Sequence, residues 1–452
     1  MSTLLVFGYV WPEPQSSAAG WRMLSLLHMF IEQGYQVHFA CAAEQSPHAV
    51  DLASLGMTAH KVTINDSAIE SWLTQLAPDV VMFDRFMLEE QFGWRVRQCC
   101  PAAMQILDSE DLHFLRAARQ QRWKTELTTA SPSTVAVLAV RGSALYTELA
   151  AREIAAMYRV DVTLTISTAE MDILQHDFNF PAAQLCYCPF LVASPTTDIP
   201  AAAKVSGDLV PYEERQHFVF IGNFRHEPNW QAVLWLQKIW PKIRAQLPAA
   251  QLHIYGAYPP PKLTALANNR QGFYIKGWAD DAKGVLSQAR VLLAPLPFGA
   301  GLKGKLIEAW QVGTPVVTTS IGAEGLIASD RLTASADVAS NPISMMFPTL
   351  FAGVIADDTE ALIDAAVRLY SDAKMWHHAA AHCSSMLEPL NAQQQQARIW
   401  QHIVAVQQQL PRHRQQNFTG QMLQLHHMRS TQYMAQWIEV KQQLAELRHQ
   451  QC

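Results

Sequence analysis

The hydrophobic positions of the chain follow a pattern of short apolar runs that alternate with amphipathic segments. An apolar run at 4–9 is followed by an amphipathic segment at 20–33 and by a second apolar run at 36–42. Apolar residues recur every three to four positions within 20–33, which is typical of a helix, and Gly34 provides a helix stop. Strands separated by helices in this way predict a parallel sheet covered by helices on both faces.

The same alternation fills the first half of the chain and then begins again. In the first half, strands are predicted at 80–83, 104–107 and 162–166, and helices at 89–99 and 152–158. The second series has the order strand 217–221, helix 228–247, strand 251–255, strand 272–277, helix 281–289, strand 291–294, helix 305–312 and strand 315–319. Residues 193–211 are rich in Pro, Thr, Ala and Ser, which predicts a linker. We therefore predict the α/β class, with two Rossmann-like, doubly wound parallel-sheet domains at 1–195 and 212–390 and a ligand-binding cleft between them.

The remaining segment, 391–452, differs in composition, because 18 of its 62 residues are Gln. Apolar side chains nevertheless repeat there with four-three spacing, at Tyr433, Trp437, Val440, Leu444 and Leu447. This spacing predicts a C-terminal helical extension. Two interpretations stay open: the helix packs back on the body of the protein, or it forms a coiled coil that makes a homodimer through 421–450.

Composition narrows the class of protein. Only 16% of the 452 residues are charged, against roughly 25% in an average soluble domain, so a membrane protein has to be considered. The longest uncharged stretch, 338–356, is interrupted by Pro342 and Pro348 and cannot supply a spanning helix of about 20 apolar residues. The first ten residues lack the basic region of a signal peptide, and we expect a cytoplasmic protein. Two interpretations of 338–356 remain: burial in its domain, or an insertion that brings the protein to the inner membrane as a peripheral contact.

Charge and cysteine content argue against a nucleic-acid-binding protein and against a metal-binding protein. The net charge is −5 and no basic stripe is present, so a nucleic-acid partner is not expected. The seven cysteines include no CxxC pair and no cluster with metal-binding spacing, so no metal site is expected.

The densest group of chemically suited residues is a glycine-rich loop between a predicted strand and a predicted helix. The loop contains Gly299, Gly301 and Gly304, and free backbone N–H groups at the helix start, with the positive end of the helix dipole, suit a phosphate. Lys303 and Lys305 add two positive charges. Glu308 follows one turn later, where its carboxylate can accept hydrogen bonds from ribose hydroxyls. The loop therefore predicts a nucleotide site.

The same glycines fit the dinucleotide fingerprint GxGxxG, with Glu324 placed 20 residues later as the ribose ligand. That fingerprint normally closes the first βα unit of its domain, whereas this loop follows about 80 residues of α/β sequence. A dinucleotide-dependent enzyme is therefore the less favoured alternative.

A series of motifs stands in order along 218–376. The motifs are Phe220-Ile-Gly-Asn-Phe-Arg-His226, Gln251-Leu-His-Ile-Tyr-Gly256, Gly277-Trp278, Gly301-Leu-Lys-Gly-Lys-Leu-Ile-Glu308 and Gly313-Thr-Pro-Val-Val317. The series resembles the group 1 (GT4-like) glycosyltransferases of GT-B fold. The first strand, the loop after it and the helix starting at Gly20 are similar to the acceptor domain of that family, more weakly.

The resemblance implies transfer of a sugar from a nucleotide-sugar to a saccharide, lipid-linked glycan or protein acceptor, with retention of configuration. It implies no cofactor and no metal ion. Glu308 would bind the ribose, and Gly301, Leu302 and Lys303 would face the sugar and diphosphate. The donor-binding residues carried over from the motifs are Gly222, Asn223, Arg225, Gly277, Trp278, Gly301, Leu302, Lys303, Lys305 and Glu308.

Family members commonly have a glutamate where this chain has Ala300 and an arginine where it has Asn223. The alternative prompted by these departures is a non-catalytic GT-B subunit that holds a partner through its C-terminal helix. On the acceptor side, the resemblance places Gly20 and Arg116, and the catalytic candidates expected to face the cleft are Asp108 and His113.

Overall fold

The computed structural model describes residues 2–129, 132–193, 209–327 and 351–450. The predicted linker at 193–211 and the apolar stretch at 338–356 lie mostly outside these residues. Among the described helices, none is long and apolar enough to cross a membrane.

The first domain is built on a seven-stranded parallel sheet. Its strands are β1 (Thr3–Gly8), β2 (Gln36–Cys41), β3 (Thr58–Lys61), β4 (Val80–Asp84), β5 (Met104–Asp108), β6 (Val162–Thr165) and β7 (Leu185–Tyr187), in the spatial order β3-β2-β1-β4-β5-β6-β7. Its helices are α1 (Ala18–Glu32), α2 (Ala68–Leu76), α3 (Phe86–Cys99), α4 (His113–Glu126), α5 (Thr134–Leu138), α6 (Glu148–Arg159) and α7 (Thr168–Asp177). All five residues of β4 are buried, as expected for a strand covered by helices on both faces.

The second domain repeats this architecture with six parallel strands. They are β8 (Gln216–Ile221), β9 (Leu252–Tyr255), β10 (Phe273–Gly277), β11 (Ala289–Ala294), β12 (Val316–Thr318) and β13 (Gly353–Ile355), in the order β10-β9-β8-β11-β12-β13. The helices are α8 (Glu227–Gln246), α9 (Pro261–Thr264), α10 (Ala282–Gln288), α11 (Gly304–Gln311), α12 (Ser320–Ala323), α13 (Thr359–Ser371), α14 (Ala373–Ala381) and α15 (Cys383–Leu387). The predicted fold class, two Rossmann-like domains with a helical extension, is confirmed.

The order of the strands determines where a ligand can bind. The sequence order reverses between β1 and β4 in the first sheet and between β8 and β11 in the second. In such sheets the loops after the reversal strands leave a crevice at their carboxyl ends. The carboxyl ends of both pairs of strands lead into loops that line the same interdomain cleft.

The C-terminal extension consists of α16 (Ala392–Gln408), α17 (Leu410–Gln416) and α18 (Phe418–Gln450). Although α16 follows the second domain in sequence, its Ile399 and Ile403 are fully buried in the core of the first domain. The start of α18 is tied to the first domain too, since Asn417 donates to the carbonyl oxygen of Tyr158 at 2.7 Å.

The predicted helix in the Gln-rich tail is confirmed. One face of it packs on the body of the protein, and another face exposes the apolar residues that suggested a coiled coil. The helix α18 packs on α3 and α6, and its Ala435 is buried against Trp94. On another face the apolar residues with four-three spacing are between 51% and 65% exposed, and these are Tyr433, Trp437, Val440, Leu444 and Leu447.

Candidate functional site

A cleft of about 890 Å³ lies between the two domains. The first domain lines it with the segments after β1, β4 and β5. The second domain lines it with the segments after β8, β9, β10 and β11 and with the first turn of α11.

The glycine loop forms the floor of this cleft and touches the first domain. A Cβ atom at Gly301, whose φ is +64°, would lie 3.0 Å from the Cβ of Asp111, and one at Gly304 would lie 2.6 Å from the Cβ of Ala18. A side chain at either position would collide with the first domain or hold it away. The glycines therefore allow a close approach of the two domains, in addition to the phosphate contact predicted from the sequence.

The predicted charged residues are brought together in the first turn of α11. Lys303 is the N-cap and donates to the carbonyl oxygens of Ala300 and Gly301, while Lys305 donates to the side-chain oxygen of Asn229 at 2.6 Å. Burial lowers the pKa of Lys303 to about 8 and that of Lys305 to about 7. Both ammonium groups therefore sit where an incoming anion would stabilise their charged forms.

Glu308 lies one turn further along the same helix and lines the cleft, as predicted. Its carboxylate accepts no hydrogen bond within the part of the chain that the structure describes. Burial raises the pKa of this carboxyl group, and Lys283 and Lys305 oppose the shift. A hydroxyl donor in the cleft would satisfy these oxygens.

The opposite wall begins where β8 ends. A Cβ at Gly222 would lie 2.8 Å from the side chain of Asn229, so the glycine makes room for the residue that holds Lys305. Asn223 accepts from the backbone N–H of Arg225 at 2.9 Å and takes part in the wall itself. The Arg225 guanidinium lies 3.5 Å from the ring centroid of Tyr258 and faces the same cleft.

Two predicted residues at the end of β10 have different positions. Trp278 lines the rim of the cleft, where its ring stacks on that of His48 from the first domain at 4.1 Å between centroids. Gly277 does not line the cleft among the described residues; its φ of +75° lets β10 turn into the segment that carries Trp278. The glycine therefore contributes a turn here.

On the first-domain side, Gly20, His113 and Arg116 line the cleft. The backbone of Glu13 passes Gly20 so closely that a Cβ there would lie 2.5 Å from it. Arg116 forms an ion pair with Asp111, which lowers the pKa of that carboxyl group although burial opposes the shift. Burial lowers the pKa of His113 to about 4, so its imidazole is neutral near pH 7 and can donate one hydrogen bond and accept another.

The expectation that Asp108 faces the cleft is wrong. Asp108 is the last residue of β5 and is 0% exposed, and both of its carboxylate oxygens accept from the guanidinium of Arg22, which is also buried. Arg22 donates in addition to the carbonyl oxygen of Cys188 at 3.0 Å. The pair joins α1 to β5, so the carboxylate at the strand end stabilises the domain.

Sequence reasoning missed a carboxylate two residues further on. Glu110 lines the cleft, and burial together with the neighbouring Asp108 raises its pKa to about 8. Its φ is +61°, and Arg85 on the neighbouring loop has φ +75°. Residues other than glycine are seldom found in this region, and such strain gathers at functional sites. The sequence offered no signal for either angle.

Glu324, the ribose ligand of the dinucleotide alternative, does not lie at a free edge of the cleft. Both of its oxygens accept from Arg119 of α4, at 2.6 and 2.7 Å. The ion pair is buried, and it leaves this carboxylate engaged with a guanidinium. The position predicted for Glu324 by that alternative is therefore wrong.

Comparison with known proteins agrees with this geometry. Residues 215–372 match the family model of the glycosyl transferases group 1. The matching domain belongs to the group 1 glycosyltransferases. Together with the two-domain architecture, the match confirms the predicted family resemblance and the enzyme class, a glycosyltransferase.

Solved structures similar to this glycosyltransferase share its fold over most of the chain. Sucrose-phosphate synthase from Thermosynechococcus elongatus is 15% identical with a TM-score of 0.60, over 90% of this chain and 99% of that one. HepE from Anabaena, in complex with UDP-glucose, is 10% identical with a TM-score of 0.60, over 90% and 100%. WaaG, a glycosyltransferase involved in lipopolysaccharide biosynthesis, is 14% identical with a TM-score of 0.54, over 84% and 94%. Among curated proteins, none matches the chain.

Proposed function

We propose that this glycosyltransferase transfers a hexose from a UDP-hexose to a glycan, lipid-linked or protein acceptor, with retention of configuration. The observation that carries the proposal is the clustering of Lys303, Lys305 and Glu308 over the first two turns of α11, inside a group 1 domain and at the floor of the cleft. UDP is the nucleotide chosen because HepE, of the same fold, was solved with UDP-glucose.

The chemistry asked of these residues is the stabilisation of a leaving diphosphate. Negative charge develops on the phosphate as the bond to the sugar breaks, and preorganised cations and N–H dipoles stabilise it. The first N–H groups of α11 have no acceptor within the helix, and Lys303 and Lys305 flank them. With Arg225 across the cleft, these groups neutralise the diphosphate, and we propose that no metal ion or other cofactor is required.

The acceptor enters from the first domain. His113 and Glu110 face the cleft from the segment after β5, and they supply a neutral imidazole and a carboxyl group to orient an acceptor hydroxyl. Arg116 and Gly20 border the same side. Nucleotide-sugars are cytoplasmic substrates, so we place the enzyme in the cytoplasm, and a lipid-linked acceptor would bring it to the inner membrane surface.

A thermal-shift panel of UDP-, GDP-, dTDP- and CMP-sugars, with NAD and FAD added for comparison, tests the donor class. A ligand that binds only the native protein at a hundredfold excess over its Kd stabilises it by about 2.7 kcal/mol. We expect UDP-sugars to raise Tm and UDP-sugar to be hydrolysed or consumed in transfer. Stabilisation by NAD or FAD alone would favour the dinucleotide alternative, and a response to none of these ligands would contradict the proposal.

The exposed seam of α18 supports a second part of the proposal, a homodimer through 421–450. The seam is defined by Tyr433, Trp437, Val440, Leu444 and Leu447, whose spacing suits a coiled coil of two copies. Trp437→Glu and Leu444→Glu should convert a dimer into a monomer in light scattering. Gln442→Glu, an exposed residue two positions from both Val440 and Leu444, is the control. A wild-type protein that is monomeric at micromolar concentration would contradict the dimer.

A further inference from the structure

Glu170 connects the two domains through backbone groups. It is the third residue of α7 in the first domain and is 0% exposed. One of its oxygens, Oε1, accepts from the N–H of Leu112 and from the N–H of Gly301, each at 2.9 Å. Leu112 adjoins the acceptor-side residues Asp111 and His113, whereas Gly301 is the centre of the glycine loop. A single carboxylate thus joins the acceptor side of the cleft to the donor side.

A second contact fixes the other end of the same loop. Arg119 of α4 donates from Nη1 to the carbonyl oxygen of Gly299 at 2.9 Å while it pairs with Glu324. A carboxyl oxygen therefore accepts from the loop at Gly301, and a guanidinium group donates to it at Gly299. Both groups come from the first domain, so the backbone of the donor loop is oriented by the domain that does not carry it.

Burial of the Glu170 carboxyl group disfavours the folded state, so a contribution to stability does not explain its position. Its second oxygen, Oε2, is buried and has no hydrogen-bond partner within the described residues. Burial and the nearby carboxylates Asp111 and Glu324 raise its pKa to about 8. A carboxyl group desolvated in this way does not improve packing, and groups of this kind gather at functional sites.

We propose that Glu170 is a positioning residue: it orients the Gly301 amide when the domains meet, and so couples docking of the acceptor domain to the geometry of the donor loop. The inference rests on the proposed function, in that the loop is taken as the diphosphate site. It names a residue that acts through the backbone and touches neither substrate. Loss of Glu170 should leave nucleotide binding to the second domain and slow the reaction.

The experiment compares Glu170→Ala with Glu170→Gln and with a matched control. Gln keeps an oxygen that can accept both N–H groups, and it retains the fold if the Ala variant does not. The control is Glu153→Ala: Glu153 is a carboxylate of the same domain, 1% exposed, which accepts from the N–H groups of His113 and Phe114 at 3.1 and 3.0 Å without reaching the glycine loop. Removing it measures the effect of losing a buried carboxylate within the first domain.

Two readouts separate positioning from general destabilisation. Hydrogen exchange of the peptide that contains Gly301 should become about tenfold faster in Glu170→Ala and stay at the wild-type rate in Glu153→Ala. The kcat at saturating UDP-sugar should fall by about tenfold or more in Glu170→Ala, because small misplacements of reacting groups are costly. The Kd for UDP should change by less than about threefold, and Glu170→Gln should recover most of kcat.

The outcomes distinguish this inference from the proposed function. Unchanged exchange at the Gly301 peptide in Glu170→Ala, or equal acceleration in Glu153→Ala, would overturn the positioning role whether or not the protein is active. A wild-type kcat in Glu170→Ala would overturn it as well. If the wild-type protein neither binds UDP nor consumes a nucleotide-sugar, the proposed function fails, while the exchange comparison still decides whether Glu170 holds the loop.

Discussion

Arg119 and Glu324 form a bidentate ion pair that joins helix α4 of the first domain to the segment after α12 of the second. The distances from Nη1 to Oε2 and from Nη2 to Oε1 are 2.6 and 2.7 Å, and the side chains are 1% and 7% exposed. Burial opposes the charge of Glu324, but the guanidinium lowers the pKa of its carboxyl group below the usual value. The ion pair is thus buried where the two domains meet.

Removal of one partner should destabilise the protein strongly. Arg119→Ala or Glu324→Ala leaves the other charge buried without a partner, and this should reduce the free energy of unfolding by about 3–5 kcal/mol. Urea denaturation measures the loss. The double variant Arg119→Met/Glu324→Leu should recover most of it, because neither charge then remains. A single variant as stable as the wild type would show that the domains do not meet here in solution.

The charged residues of α11 should be needed for the reaction and dispensable for folding. Glu308→Ala and Lys303→Ala each remove a group that faces the cleft, so each should lower donor hydrolysis or transfer by about 10²–10³-fold. Thermal melts should remain close to that of the wild type. Lys242→Ala, which loses only an exposed ion pair with Glu360, is the control with wild-type activity. Full activity in both α11 variants would contradict the proposed donor site.

Donor affinity should depend on pH in the range where the two lysines titrate. Burial lowers the pKa of Lys305 to about 7 and of Lys303 to about 8, and a bound diphosphate would raise both values again. Binding then takes up protons above pH 7, so the affinity for UDP-glucose is highest below that pH and falls as pH rises, by up to about tenfold per unit for each lysine that must be protonated. Calorimetric titrations from pH 6 to 9 measure this slope. Lys305→Gln should weaken the pH dependence at the low-pH end of this range. A wild-type affinity that does not change with pH would contradict the role of the two lysines in diphosphate binding.

Asp108 and Glu110 are two residues apart, and replacing their carboxyl groups with amides should affect two different properties. Asp108→Asn leaves Arg22 buried with a weaker partner and should lower stability by up to about 3–5 kcal/mol. Glu110→Gln removes a carboxyl group that faces the cleft, and should lower kcat by about 10²-fold with little change in Tm. Each variant is the control for the other. A stable, inactive Asp108→Asn protein would restore Asp108 as a catalytic candidate.

The elements that follow from the sequence are those whose local pattern agrees with their final environment. The strand β11 and helix α11 were predicted within a residue or two, because an apolar run and a glycine-bounded amphipathic segment are visible without knowledge of neighbours. The edge strand β3 was not predicted, since Thr58–Lys61 is short and mostly exposed and has no apolar alternation.

The candidate site likewise contains residues that the sequence predicts and contacts that it does not. The clustering of Lys303, Lys305 and Glu308 follows from their spacing over the first two turns of one helix. The contact of Glu170 with Gly301 joins residues 131 positions apart, and that of Arg119 with Glu324 joins residues 205 apart. Neither partner has a sequence signal that points to the other, because each contact depends on how one whole domain faces the next.

The position of helix α16 affects the order in which the two domains can complete their folding during synthesis. Its Ile399 and Ile403 are fully buried beside Leu4 and Val6 of the first strand, and Trp400 lies edge-on to Phe30 of α1. The core of the first domain therefore stays incomplete until α16 has been synthesised, whereas the strands of the second domain are all available earlier. Domains usually fold in order from the N-terminus during synthesis. Of the two domains, the one that is synthesised earlier is therefore completed later.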